Sequence, residues 1–493
     1  MSSTISTSNG TLTNPNIVIF ISDETRFPQH WPADWVAEHL PTWQKLMNNG
    51  LTFTNAITAA CECSPSRASF VTSTYPEENG VTITFLKALP PSMTNLADVL
   101  DSANYPVIWK GKWHLSFPVQ NGTWSEADIQ ALETSYRMQD WNPPDAGTSL
   151  GVGPTLGGGK WNNDDRFVTG VAHNGQQAWG TGVLDFLEGA TEPFCLVVSL
   201  VNPHDIFLLP DSKGGTSNIT AAGYDLSVLN DIGIECPKNL DDDLSTKPAV
   251  QAQFQQAFQT SNPLATDDYS KYVNFYAYLH TLSDALFGQV YDKLSALGIL
   301  DNTLIIRMAD HGEMGLSHGL REKMYTAYEE AIHVPLIYSN PVLWPAAETT
   351  DAMVSSLDLV PTLAAITGST NTSTLRGTSY LDVLEGTRSD VQEDVIYTFD
   401  DEFDLPATAV GHIRCIREKT KKYSVYFDEG GTTFEYEMYD LGADPGELKN
   451  LLFGTPSPHV RAEWERLHCR LTERLKKLGA MPRGIVWPTD PWG

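Results

Sequence analysis

Four short runs in this chain are apolar at almost every position and stop abruptly on residues of opposite character. They are Asn16–Ser22, Tyr105–Trp109, Phe194–Val201 and Thr303–Ala309. A strand with one wet face alternates polar and apolar residues. A continuous run belongs instead to a strand covered on both faces, as in a parallel sheet between helices. Side chains able to do chemistry follow each run: Asp23-Glu24, then Lys112 and His114, then His204, then Asp310-His311. Open α/β sheets bind ligands beyond the carboxyl ends of their strands, so one sheet would carry all of these residues to one edge. Taken singly, each has a plainer reading as a solvated acid, a helix cap, a surface lysine or a loop histidine.

The expected fold is therefore α/β, a large, mostly parallel sheet flanked by helices, over residues 14–386. A long helix with an aromatic core face is predicted over Asp268–Leu297. Shorter helices are predicted over Leu40–Asn48, Gly175–Glu188, Ser92–Ser102 behind a Ser92/Thr94 cap, and Leu357–Ile366, interrupted early by Pro361. The stretches Asp140–Asp165 and Pro210–Asp267 show little pattern and read as loops that shape a pocket. Beyond Gly386 the composition changes. Val395–Phe399, Gly411–Ile416, Lys422–Phe427 and Phe434–Leu441 alternate between turns, which predicts a small antiparallel sheet. Ser457–Leu478 reads as one charge-laced helix. Residues 387–493 are thus expected to form a C-terminal α+β subdomain. Its tail, with Trp487 and Trp492, should dock in a groove of its own chain or of a subunit partner, which suggests a homo-oligomer, a dimer or tetramer.

The 61 acidic residues outnumber the 32 basic ones, for a formal charge of -29 over 493 residues. That argues against nucleic acid as a partner, and it means that an anion site must supply its own local positive charge. Met1–Asn14 is polar with no apolar core, and no run is long enough to span a membrane, so a cytoplasmic protein without membrane insertion is expected. Six cysteines in a chain of this length do not make a disulfide framework.

One cysteine stands in an unusual setting, Cys63-Ser64-Pro65-Ser66-Arg67. Pro65 suits the first turn of a helix. That places Cys63 at a helix N-terminus, where the dipole favours negative charge, with Arg67 about one turn on. The residues describe a reactive sulfur, or something made from it, beside an anion-binding helix end. A buried, inert cysteine is the alternative.

The pentapeptide resembles the C-x-P-S-R signature of the type I sulfatases of the alkaline-phosphatase-like superfamily, and the likeness extends along the chain. Asp23 matches the first acid and Gly111-Lys112-Trp113-His114 the Gly-Lys-x-His segment. Asn202–Asp205 matches the Asn-Pro-His-Asp turn, Asp310-His311 the second metal pair and Lys323 the later lysine. Tyr439–Leu451 matches the C-terminal Tyr-Asp-Leu-x-x-Asp-Pro-x-Glu-x-x-Asn-Leu signature. Two departures, Glu24 where many members carry a second aspartate and His311 where they carry asparagine, resemble the choline-sulfatase and phosphonate monoester hydrolase branches.

The resemblance implies hydrolysis of sulfate monoesters through formylglycine, an aldehyde made from Cys63 by a formylglycine-generating enzyme. It implies one divalent metal held by Asp23, Cys63, Asp310 and His311, and it argues against Glu24 as a ligand. Calcium is the first expectation, with manganese or zinc competing because an imidazole is present. Arg67, Lys112, His114, His204 and Lys323 are implied around the transferring group, with His204 and Lys323 near the leaving oxygen. A phosphonate monoester or phosphodiester hydrolase with the same nucleophile is the runner-up. A non-catalytic metal-binding protein built on Cys61 and Cys63 lacks the further C-x-x-C ligands that it would need.

Overall fold

A computed structural model describes residues 3–84, 86–119, 124–143, 145, 164–170, 180–210, 217–230, 232–400 and 409–489. Strands β1 (Thr4–Ser6) and β2 (Thr11–Thr13) form an N-terminal hairpin. The chain then enters the central strand β3 (Asn16–Ser22), which is buried throughout. Ile17, Ile19 and Ile21 pack into one core and Val18 and Phe20 into another, so the sheet is covered on both faces.

Among the described residues the large sheet has eight strands. In chain order these are β3, β4 (Gly50–Ile57), β6 (Val107–Gly111), β7 (Met138–Gln139), β8 (Cys195–Leu200), β9 (Thr303–Ala309), β10 (Leu336–Ser339) and β11 (Glu348–Ser355). Their spatial order is β11-β4-β10-β9-β3-β8-β6-β7. The four strands predicted from apolar runs stand side by side as β9-β3-β8-β6, all parallel. Only β10 runs against both of its neighbours. The long helix Tyr269–Ala296 covers one face, and Leu359–Thr367 with Leu96–Asp101 covers the other.

The second sheet has the order β15-β14-β13-β12-β5. Four of its strands are those predicted: β12 (Asp394–Phe399), β13 (His412–Glu418), β14 (Lys421–Phe427) and β15 (Phe434–Asp440). The fifth, β5 (Ala60–Cys61), comes from the N-terminal part of the chain and pairs parallel to β12. Helix Pro458–Leu478 lays Trp464, Leu467, Leu471 and Leu475 on this sheet. The tail docks on its own chain, since Trp487 stacks on His468 and donates to Thr472 Oγ1 at 3.0 Å. Trp492 lies outside the described residues.

Three local expectations need correction. The helix expected over Ser92–Ser102 runs from Leu96 to Asp101, and its cap is Asn95, which accepts from the Ala97 N–H at 2.8 Å. Pro361 does not interrupt its helix, because it sits in the first turn, where no intrahelical N–H is required. The Pro210–Asp267 stretch contains a helix, Ala249–Ser261, whose narrow apolar stripe of Val250 and Phe254 is diluted by glutamines. Of the helix predicted over Gly175–Glu188, Val183–Gly189 is observed and residues 175–179 lie outside the described residues.

Candidate active site

Strand register brings the predicted residues together. Ser22 of β3 pairs with Leu200 of β8 on one side and with Ala309 of β9 on the other. The next residues, Asp23 and Asp310, therefore leave adjacent strands side by side. Gly111 pairs with Ser199, so Lys112 leaves its strand one residue short of that level. Strand β4 runs parallel to these and delivers Thr58 and then the helix Cys63–Thr72, every residue of which is buried. Thr58 Oγ1 and Ser66 Oγ each donate to the carbonyl oxygen of Asp310 at 2.6 Å, which fixes this helix to the end of β9.

Cys63 is the first residue of that helix, and its sulfur faces a ring of donors. His311 Nε2 lies 3.2 Å from Sγ and Asp23 Oδ1 lies 3.7 Å from it. One atom each from Asp23, Cys63, Asp310 and His311 falls within 4.8 Å of the others. His311 Nδ1 is 2.9 Å from the Gly312 carbonyl oxygen, so that nitrogen carries the proton and the Nε2 lone pair is left for the ring of donors. Two carboxylates, an imidazole nitrogen and the atom carried at position 63 suit a single divalent cation.

Arg67 braces this set. Its Nε donates to Asp310 Oδ2 at 3.0 Å and its Nη2 to Asp23 Oδ2 at 2.9 Å, while Nη1 donates to the Lys112 carbonyl and Ser199 Oγ. Through these bonds Arg67 acts on the site by way of the two carboxylates that it holds. Lys112 Nζ is ion-paired with the same Asp23 carboxylate. Burial would raise the Asp23 pKa, but Lys112 and Arg67 together hold it well below the usual carboxylate range. Burial likewise opposes the Lys112 charge, and Asp23 overrides it, raising the ammonium's pKa.

The segment after β6 does not stay extended. Gly111 has φ 99°, and a Cβ there would lie 2.0 Å from the Ser199 carbonyl oxygen, so only glycine fits. His114 itself sits at φ 65°. Asp145 stabilises this turn by accepting from the Trp113 N–H at 3.0 Å and the His114 N–H at 2.7 Å. The two histidines near Cys63 are driven apart electrostatically. Burial, then Lys112 and Arg67, push the His114 pKa well below its ordinary value. At His204, burial and Lys112 also oppose the charge, but hydrogen bonding to Asp205 and Cys63 outweighs them and raises the pKa. Asp205 is held in turn by the Tyr224 hydroxyl at 2.5 Å.

Glu24 does not join the four-donor ring around Cys63. Its Oε2 accepts from Lys323 Nζ at 3.0 Å, and Glu322 Oε2 accepts from the same ammonium at 2.9 Å. Burial raises the Glu24 pKa well above the usual range; Lys323 opposes this, while Glu322 and Glu313 add to it.

All ten residues singled out in the sequence thus lie in one buried neighbourhood. Sequence reading missed Asp145, Ser199, Asp205 as a partner of His204, and Glu322. Asp145 sits in an insertion without periodicity, and Ser199 looks like one more position in an apolar run, so neither carried a signal. The Tyr439–Leu451 signature holds the second sheet in place. Asn450 accepts from the Met438 N–H at 3.2 Å, Glu447 accepts from the Glu329 N–H at 2.8 Å, and Glu447 also pairs with Lys422.

A family model described as Sulfatase matches residues 15–369, and one described as N-sulphoglucosamine sulphohydrolase, C-terminal, matches 316–478. The chain is 23% identical to N-acetylglucosamine-6-O-sulfatase of Bacteroides thetaiotaomicron over 94% of its length and 86% of that protein. It is 27% identical to choline-sulfatase of Rhizobium meliloti over 89% and 82%. The phosphonate monoester hydrolase of Silicibacter pomeroyi shares the fold, with TM-score 0.67 and 20% identity over 95% of this chain and 96% of the other.

Proposed function

This chain belongs to the sulfatase family and is a sulfuric ester hydrolase, and on that premise we propose that it works through formylglycine made from Cys63, with one divalent metal. The observation that carries the reading is the ring of Asp23, Asp310 and His311 around position 63, buried and braced by Arg67. Cys63 Sγ stands where the aldehyde hydrate would carry an oxygen. When present, the hydrate supplies a nucleophilic hydroxyl and a second hydroxyl whose loss of a proton frees the product. A bound metal would supply Lewis acidity to the ester oxygens.

The chain's own residues do the rest. Arg67 and Lys112 keep Asp23 ionised and fixed. His114, its pKa lowered by burial and by its cationic neighbours, accepts a proton at the second hydroxyl. His204, its pKa raised by Asp205 and Cys63 against burial and Lys112, is placed to donate to the leaving oxygen, with Lys323 beside it. Imidazoles pushed in opposite directions are the usual basis for dividing base from acid. We read 14–386 as the catalytic unit and 387–493 as the subdomain that backs it. Among the described residues no helix is long and apolar enough to cross a membrane.

Hydrolysis of phosphonate monoesters or phosphodiesters is the second reading, favoured by His311 in the donor ring, as in the branch that this chain resembles. Lys112 and His114 favour the sulfate ester. The test is the mass of the peptide carrying residue 63 from natively produced, active protein, together with turnover of aryl sulfates against aryl phosphonates. Active protein with an unmodified thiol would sink the mechanism.

A further inference from the structure

Lys323 is a cation crowded by acids. Its Nζ donates to Glu24 at 3.0 Å and to Glu322 at 2.9 Å, and oxygens of Glu24, Glu313 and Glu322 all lie within 4.8 Å of one another. Glu24 and Glu322 sit at φ 67° and 66°, a conformation that side-chain-bearing residues rarely adopt without a reason. Glu322 is fixed from behind as well. Its N–H donates to Glu313 Oε1 at 3.0 Å, and that oxygen also accepts from the Tyr272 hydroxyl at 2.8 Å. The two other buried cations near Cys63 are equally committed, Arg67 to Asp23 and Asp310, Lys112 to Asp23.

An ester entering this pocket meets shared positive charge. Sulfate monoesters, phosphonate monoesters and phosphodiesters bring one negative charge, whereas a phosphate monoester brings close to two at about pH 7 and above. All are tetrahedral, so shape separates them poorly and charge separates them well. Where such an ester lies against Lys323, its second charge faces the Glu322 carboxylate that shares this ammonium, and buried like charges repel.

We propose that Glu322 is a specificity-determining residue: by sharing Lys323 it confines the site to singly charged tetrahedral esters and rejects dianionic phosphate monoesters. The proposal rests on the reading above that Lys323 faces the transferring group, and it holds for either the sulfate or the phosphonate reaction.

The experiment uses the full-length, matured, metal-loaded protein and three esters with one leaving group: para-nitrophenyl sulfate, phosphate and phenylphosphonate. At about pH 8, Glu322→Gln should raise the phosphate-to-sulfate ratio of kcat/KM at least about tenfold. It should leave the phosphonate-to-sulfate ratio within about threefold. Glu322→Asp, which draws the carboxylate back from Lys323, should move the first ratio the same way by less, and it carries the test if the Gln variant does not fold. In the unaltered protein the bias against phosphate should shrink as the pH falls through that ester's second pKa, where it becomes singly charged. A phosphate-to-sulfate ratio unmoved by substitution and by pH overturns the role of Glu322. Absence of sulfate and phosphonate turnover in the unaltered protein would instead overturn the hydrolase reading itself.

Discussion

Arg67 Nε and Asp310 Oδ2 lie 3.0 Å apart, with neither side chain exposed to solvent, and the same guanidinium reaches Asp23 at 2.9 Å. One guanidinium therefore bridges both carboxylates that frame position 63, and Lys112 supplies the second positive charge at Asp23. Removing one partner of a buried pair leaves the other charge without compensation. Arg67→Ala should destabilise the metal-free protein by about 3–5 kcal/mol. Added divalent metal should restore much of that loss, so denaturant titrations with and without metal should diverge more for the variant than for the unaltered chain. Equal divergence would mean that Arg67 does not share this duty.

Chelation of the unaltered protein should separate activity from folding. With Asp23 and Asp310 already countered by Arg67 and Lys112, the donor ring does not depend on a metal to stay assembled. Ester hydrolysis should vanish on removal of the metal while the thermal midpoint falls by only a few degrees, roughly what weak linkage to a bound ion gives. Loss of the cooperative transition would contradict this.

Asp145 accepts the N–H groups of both Trp113 and His114, across a turn that His114 enters at φ 65°. Asp145→Ala leaves two buried donors unmatched and should destabilise by about 2–3 kcal/mol. Turnover should fall more than substrate affinity, because His114 is displaced rather than removed. Asp145→Asn keeps one acceptor oxygen and should recover part of both. Steady-state kinetics on the two variants would separate these outcomes.

Asp164 offers a pH test away from the metal ligands. Its carboxylate accepts from the Val201 N–H at 2.7 Å, and burial pushes its pKa from 3.8 up to about 8. Between those values the folded state keeps a proton that the unfolded chain has released. The stabilisation is complete below 3.8 and is lost as the pH rises through about 8. Asp164→Asn cannot ionise, so its thermal midpoint should gain on that of the unaltered protein from about pH 5 to pH 8. Parallel midpoint curves would show that the group does not titrate as described.

The parts of this molecule that could be read from sequence are those where one physical demand acts alone. Strands buried on both faces must be apolar throughout, so β3, β6, β8 and β9 declared themselves, and the residues that end them marked the site. The C-terminal strands alternate although β12 is buried throughout, because buried charged residues such as Arg414, Lys422 and Glu437 stand between their apolar positions. The misses occur where two demands overlap. Ser199 lies in an apolar run yet serves Arg67. Glu322 is a charged residue between two cationic ones in sequence, yet it is buried against Lys323. Helix Ala249–Ser261 hid because its buried stripe is narrow. The turn at His114 carries no local signal because Asp145, 31 positions away, stabilises it.

The two residues of β5 complete the second sheet through Ala60 beside Thr398 and Cys61 beside Phe399. Cys63, two positions on, is 3% exposed. On the chemistry proposed here the thiol must be rebuilt by another protein, and the finished fold gives that protein nothing to grasp. Activation then belongs before the fold closes over position 63. A nascent chain whose C-terminal strands close early would be stable, well folded and permanently inert.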